Sequence, residues 1–327
     1  MVVAGLALAA CASPASEIAE STTAASQGTG PVTLVRAAKG VAALRAGASR
    51  PIWQNESAIA AHDGSAVVGV TGSGSGSQLV AIDPSTGTAT FWAALGSPLK
   101  VAVVAPDAKF VAVTDRSTTY GPDRGRRSTA IRIFDDDNGN RSVRANLNVP
   151  GDVEPEAFSK DGTWLFVLNH RGDSYRVQQI NLATGERIDV SDRDKTIQAE
   201  TMNGQPVHAV LDRHRNLLAT LYRDPNNSTH PAFVHILDLE HVWSSCVDLE
   251  DPFGAGSPDA ETIRVTEKNT VIIGGEGISK TAEIRIEDVL KGGSNPVLVE
   301  LYDRVTLRND DLFRGWAGFR RTIAPLK

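Results

Sequence analysis

Leu79-Val80-Ala81-Ile82-Asp83-Pro84-Ser85-Thr86-Gly87 is a short apolar run that ends on an acid and is followed by a turn closed by glycine. A carboxylate at a strand end can accept hydrogen bonds from the turn backbone, and glycine supplies the positive φ that ends such a turn. The phrase recurs. Ile131-Arg132-Ile133-Phe134-Asp135 leads to Gly139, and Val177-Gln178-Gln179-Ile180-Asn181 leads to Gly185. Phe233 to Asp238 and Ala282 to Glu287 repeat the run without the glycine. An earlier copy, Gly40 to Trp53, aligns with the stretch from Leu79 to Trp92.

A second phrase precedes each later copy. It runs from Ile59 to Val70 around Asp63-Gly64, from Val101 to Val113 around Pro106-Asp107, and from Ala157 to Leu168 around Asp161-Gly162. Val207 to Leu221 and Ile263 to Ile273 are weaker relatives. Each reads as strand, tight turn, strand, so one unit holds four strands, A to D. The units repeat at roughly 50 residues, a little above the usual propeller spacing. No helical period interrupts them. The expected fold class is therefore all-β: a β-propeller of four-stranded blades. Six blades are expected, with seven as the alternative if 189–204 or 303–327 holds another unit. Residues 31–53 supply only B, C and D strands. Leu312 to Ile323 is expected to supply the missing A strand, so that pairing of the N- and C-terminal strands closes the ring.

The paired phrases resemble bacterial extracytoplasmic propellers of the YVTN and lactonase-like group. The residues that carry the likeness are Asp63-Gly64, Asp161-Gly162, and the hairpins Asp83 to Gly87 and Asn181 to Gly185. With Ala232 to Leu239, the chain also resembles uncharacterised propeller lipoproteins of actinobacteria. The likeness spans residues 31–323 and implies the fold; propellers host many unrelated functions.

The first residues, Met1 to Ala10, are an apolar run too short to span a bilayer and sized like a signal-peptide core. Leu8-Ala9-Ala10-Cys11 resembles the bacterial lipobox, which implies cleavage before Cys11 and acylation of its thiol. No Lys or Arg precedes Cys11. Twelve of the nineteen residues 12–30 are Ala, Ser or Thr, without amphipathic period; such a segment buries too little to fold. It reads as a flexible tether of about 25 Å. The domain plan is a signal-peptide remnant at 1–10, a lipidated tether at 11–30 and one propeller at 31–327. The expected place is the outer face of the bacterial cell membrane, in the cell envelope, with the membrane met through the lipid anchor alone.

Net charge is −6, from 33 basic and 39 acidic residues, which argues against a nucleic-acid partner. Cys11 and Cys246 are the two cysteines, so no internal disulfide framework is expected. Several chemical motifs fail on inspection. Asp135-Asp136-Asp137-Asn138-Gly139 suggests calcium, but its glycine is one place out of register for an EF-hand. Gly72 to Ser77 lacks the Lys-Ser/Thr ending of a phosphate loop. The seven histidines form no zinc spacing. No cofactor is expected; calcium has no motif behind it. The Arg124, Arg126 and Arg127 cluster reads as a solvated loop tip.

The channel mouth carries the candidate site. The D–A connections place Glu56, Glu154, Glu156, His208 and Glu261 there, and the B–C connections place Arg116, Arg171 and Arg223. No catalytic residue is assigned. A ring of acids near one axis suits cation binding or an acid with a raised pKa. The expected function is a monomeric envelope scaffold that binds a small molecule or an envelope protein. The alternatives are a lactonase-like hydrolase using the acids and a metal, and an envelope-assembly accessory lipoprotein.

Overall fold

A computed structural model describes residues 32–36, 40–46, 50–118, 121–137, 139–193, 201–249, 252–254, 261–266, 268–275, 280–291, 299–303 and 322–325. Cys11 and the 11–30 tether lie outside the described residues. The strands form six sheets, four of four strands and two of five, each built on four antiparallel strands, the architecture of a six-bladed propeller. Blade 1 joins Thr322–Pro325 to Val32–Arg36, Val41–Arg45 and Trp53–Asn55. Thr33 pairs with Pro325 and Leu34 with Ala324, so the two chain ends close one blade. The closing strand begins at Thr322, ten residues after the start of the expected stretch.

In the remaining blades the A strands are Ile59–Ala60, Lys100–Val104, Asp152–Phe158, Gln205–Asp212 and Glu261–Val265. The 189–204 region adds no seventh blade. Its Ser191–Asp192 pairs in parallel with Trp243 and Ser244 on the outer strand of blade 5, and its Met202–Asn203 pairs with Ser174 and Tyr175 of blade 4. Arg193 continues this strap: its guanidinium covers the Trp243 ring and donates to the carbonyls of Val289 and Leu290. Those carbonyls belong to the short helix α1 (Ile286–Lys291) of blade 6.

The core is built between blades. Among the described residues five apolar clusters form, one at each seam from 1/2 to 5/6. Strand alternation divides each blade between two seams. In the B strand of blade 4 (Trp164–Arg171), Leu165 and Val167 face blade 3, while Phe166 and Leu168 face blade 5. In the B strand of blade 5 (Leu217–Arg223), Leu218 and Tyr222 face blade 4. Both faces are buried, so these strands read as continuous apolar runs rather than alternating ones.

The turns follow the chemistry of their acids. Asp83 Oδ1 accepts from the backbone N–H groups of Ser85 and Thr86, both at 2.9 Å, and Gly87 has φ +76°. Asn181 repeats this with Ala183 and Thr184. Asp238 does so with Glu240 and His241, but Val242 stands where the others have glycine and holds φ +60°.

Candidate functional site

Three neighbouring A strands share a defect. Register shifts fall between Val101 and Val103, between Pro155 and Ala157, and between Pro206 and His208. Each leaves one residue out of the ladder: Ala102 in blade 3, Glu156 in blade 4 and Val207 in blade 5. A bulge bends its strand and re-aims the extra side chain. In blade 4 that side chain is a carboxylate.

Glu156 is 8% exposed. Its Oε1 accepts from Thr220 Oγ1 at 3.2 Å and from Tyr222 Oη at 3.3 Å, both on the face that blade 5 turns to blade 4. Its Oε2 is buried and meets no hydrogen-bond donor. Burial raises the Glu156 pKa to about 7; the Glu154 charge adds to the rise, and the Thr220 and Tyr222 hydroxyls oppose it. Tyr222 stacks between Tyr175, at a centroid distance of 5.2 Å, and Phe233, at 5.0 Å, so this hydroxyl is held by an aromatic column. His235 meets the Tyr222 ring edge-on from the next strand; burial lowers its pKa to about 4 and keeps the imidazole neutral.

Towards the channel mouth, Arg116 lies at 1% exposure with all three nitrogens engaged. Nε donates to Asp152 Oδ1 at 2.8 Å. Nη1 meets Glu154 Oε2 at 3.0 Å and the Thr118 carbonyl at 3.2 Å. Nη2 reaches the Gly121 carbonyl at 2.5 Å and Asp152 Oδ2 at 3.4 Å. Glu154 Oε2 also takes His170 Nε2 at 2.9 Å and the Gly121 N–H at 3.0 Å. Burial works to raise the Glu154 pKa, but the His170 hydrogen bond, the Arg116 and His170 charges and the Gly121 N–H outweigh it and hold the pKa below the ordinary range. Two carboxylates of one strand, two residues apart, are therefore pushed in opposite directions.

A pocket opens beside Glu156. It is lined from four blades: by His62 of blade 2, Ala102 of blade 3, Glu154, Pro155, Glu156 and Leu168 of blade 4, and Pro206, Ala209 and Thr220 of blade 5. Its enclosed part takes a group of about water size. The A–B face of the channel is tied across the axis. His62 Nε2 lies 2.9 Å from the Glu156 carbonyl, and the His62 carbonyl accepts from the Leu211 N–H. Arg213 of blade 5 bridges Asp63 of blade 2, at 3.1 Å, and Asp107 of blade 3. Arg215 continues to Asn269 of blade 6 at 2.5 Å.

Of the residues named from sequence, Arg116, Glu154 and Glu156 come together. His208 is buried on the A strand of blade 5. Arg223 is half-buried at the end of a B strand, and Glu56 and Arg171 are exposed. Glu261 opens the A strand of blade 6, and its side chain lies outside the described ones. Sequence reasoning missed Asp152 as the second partner of Arg116. The one available signal was its place two residues before Glu154, in step with a strand whose alternate positions are acids. The role of His62 left no local signal, because its partners are 94 residues and more away.

The other motifs are spent locally. Asp135 holds Ser142, and Asp136 holds Arg141 and the Gly139 N–H, all within one hairpin. Gly74–Gly76 is a single 3-10 turn. Arg126 pairs with Asp115 and Asp123, and exposed Arg124 with Asp173. Cys246 is half-buried and not in a disulfide.

No protein-family model and no curated protein sequence matches the chain. Among solved structures it is similar to TolB from Acinetobacter baumannii, at 14% identity over 78% of this chain and 60% of that one, with TM-score 0.42. It is similar to an oligogalacturonate lyase in complex with manganese, at 10% identity over 76% of this chain and 68% of that one, with TM-score 0.47. It is also similar to a protein named as a 6-phosphogluconolactonase from Bacteroides fragilis, at 15% identity over 84% of this chain and 99% of that one, with TM-score 0.40. The chain thus spans about 60% of the length of that TolB. At these scores the likenesses add nothing to the architecture read from the sheets.

Proposed function

We propose that the chain is a cell-envelope lipoprotein, anchored through Cys11, whose propeller works by binding a small molecule or an envelope protein. The observation that supports binding over hydrolysis is the state of two of the acids, Asp152 and Glu154, which leaves Glu156 without a second free carboxylate in its cluster. Lactone opening by an acid/base pair or a metal needs carboxylates that can move protons or ligate. Asp152 and Glu154 are instead spent on Arg116, inside a buried network that holds their geometry. Arg213 and His62 brace the opposite face, so contacts between blades frame the pocket beside Glu156.

Assay of the purified full chain against a panel of lactones, with the Glu156→Gln and Glu261→Ala variants alongside, tests this reading. No turnover that depends on either residue is expected. Turnover in the wild type that either variant abolishes would overturn the binding reading in favour of the hydrolase.

A further inference from the structure

We propose that the axial pocket binds the ammonium end of a small amine, with the Glu156 carboxylate as counter-ion and the apolar wall around the carbon stem. This rests on the reading of the propeller as a binding protein and names its ligand class.

Charge points the same way as shape. The buried cluster holds three carboxylates, Asp152, Glu154 and Glu156, and the Arg116 guanidinium answers the first two. Glu156 has only hydroxyl donors, both on Oε1; its buried Oε2 is left without one, in a residue that is more than nine-tenths buried and lines the pocket. A buried acceptor without a donor is costly, and a ligand that brings the donor recovers that cost. A divalent metal fits poorly. Calcium takes six to eight oxygens and zinc four ligands. Among the described residues no three metal-ligating side chains converge. An alkylammonium has three N–H donors on a compact charge. Glu156 Oε2 and the Thr220 hydroxyl oxygen supply acceptors on one side. Ala102, Pro155, Leu168, Pro206 and Ala209 supply a wall for carbon. The enclosed part suits the ammonium head of methylammonium, with its methyl group towards the open part of the pocket, and is too small for a quaternary head.

Binding requires ionised Glu156. The titratable groups around it are Glu154 on its own strand, His62 from blade 2, Tyr222 from blade 5 and Tyr175 from the C strand of blade 4, with Arg116 and His170 beyond Glu154. With Glu156 titrating near 7 in the free protein, affinity rises with pH through that value and levels above it.

Calorimetric titration of the full chain with methylammonium chloride, against sodium chloride at equal ionic strength, tests the site. Affinity is expected to rise about tenfold between about pH 6 and pH 8, to vanish in Glu156→Gln, and to be absent for tetramethylammonium. Equal binding by Glu156→Gln, equal binding of tetramethylammonium to the wild type, or no heat beyond the sodium control would overturn the proposal. The tetramethylammonium arm needs no variant, so it decides even if the substitution disturbs folding. Failure here leaves the binding reading standing, whereas variant-sensitive lactone turnover removes both.

Discussion

Arg116 and Glu156 are buried ionisable side chains with opposite surroundings. Arg116 is compensated on every nitrogen, so its removal strands Asp152 and Glu154 together. Arg116→Met should cost about 3–5 kcal/mol, read from the shift of the urea midpoint, because an uncompensated buried charge is what such a change leaves. Glu156 gains from losing its charge. Its folded pKa of about 7 lies above the ordinary 4.5, so the folded state holds the proton more tightly than the unfolded chain. The wild type is therefore least penalised below about pH 4.5, and loses stability as pH rises through 7. Glu156→Gln should be more stable than wild type by up to about 3 kcal/mol above pH 7, and the difference should disappear below about pH 4.5. A pH series of denaturant melts that shows no such divergence would contradict the burial of this carboxylate. At this scale the sequence offered residue types but not their pairings. Arg116, Glu154 and Glu156 stand out as rim charges, whereas Asp152 precedes the apolar run and reads as loop. The bulge that turns Glu156 towards blade 5 is a register event; Pro155 marks an edge or bulge position in the sequence, but not the direction in which Glu156 then points.

At the scale of elements, the repeated hairpins were the most legible part, because an acid bonding its own turn is local chemistry. Asp83, Asn181 and Asp238 each close a turn in the same way. The exception is instructive. Val242 takes φ +60° in a position that glycine fills elsewhere, and a β-branched residue is strained there. Val242→Gly should raise stability by about 1 kcal/mol, measured by thermal melting, with part of the strain relief offset by lost packing on the 4/5 seam. Gly162 shows the converse. It holds φ +67°, and a Cβ there would lie 2.2 Å from the Phe110 ring of blade 3. Gly162→Ala should destabilise by about 2–4 kcal/mol, combining backbone strain with overpacking at the 3/4 seam. The turn acid at 161 marks this glycine in the sequence; its contact with the neighbouring blade is visible only in the ring.

The whole molecule depends on contacts that join distant parts of the chain. Thr322–Pro325 on Val32–Arg36 closes the ring, and His62, Arg213 and Arg215 tie blades 2 to 6 across its axis. Repeat counting reached the six units and the closure by the chain ends, since both follow from strand number. The cross-axis ties were hidden, because residues such as Asp63, Asp107 and Arg213 look like ordinary turn charges in any single repeat. Removal of residues 322–327 should leave Val32–Arg36 as an unpaired inner edge and lower the melting temperature, with hydrogen exchange rising first in blade 1. The convergence of four blades on a pocket beside one carboxylate is the claim on which the proposed ligand class turns. Its most direct measurement is a carboxyl carbon-13 NMR titration of glutamate-labelled protein, compared with Glu156→Gln. One glutamate resonance is predicted to titrate near 7, to be missing from the variant, and to shift towards lower pKa with methylammonium. Titration of every glutamate in the ordinary range near 4.5, with the variant spectrum differing only there, would contradict a buried acid at the centre of the propeller.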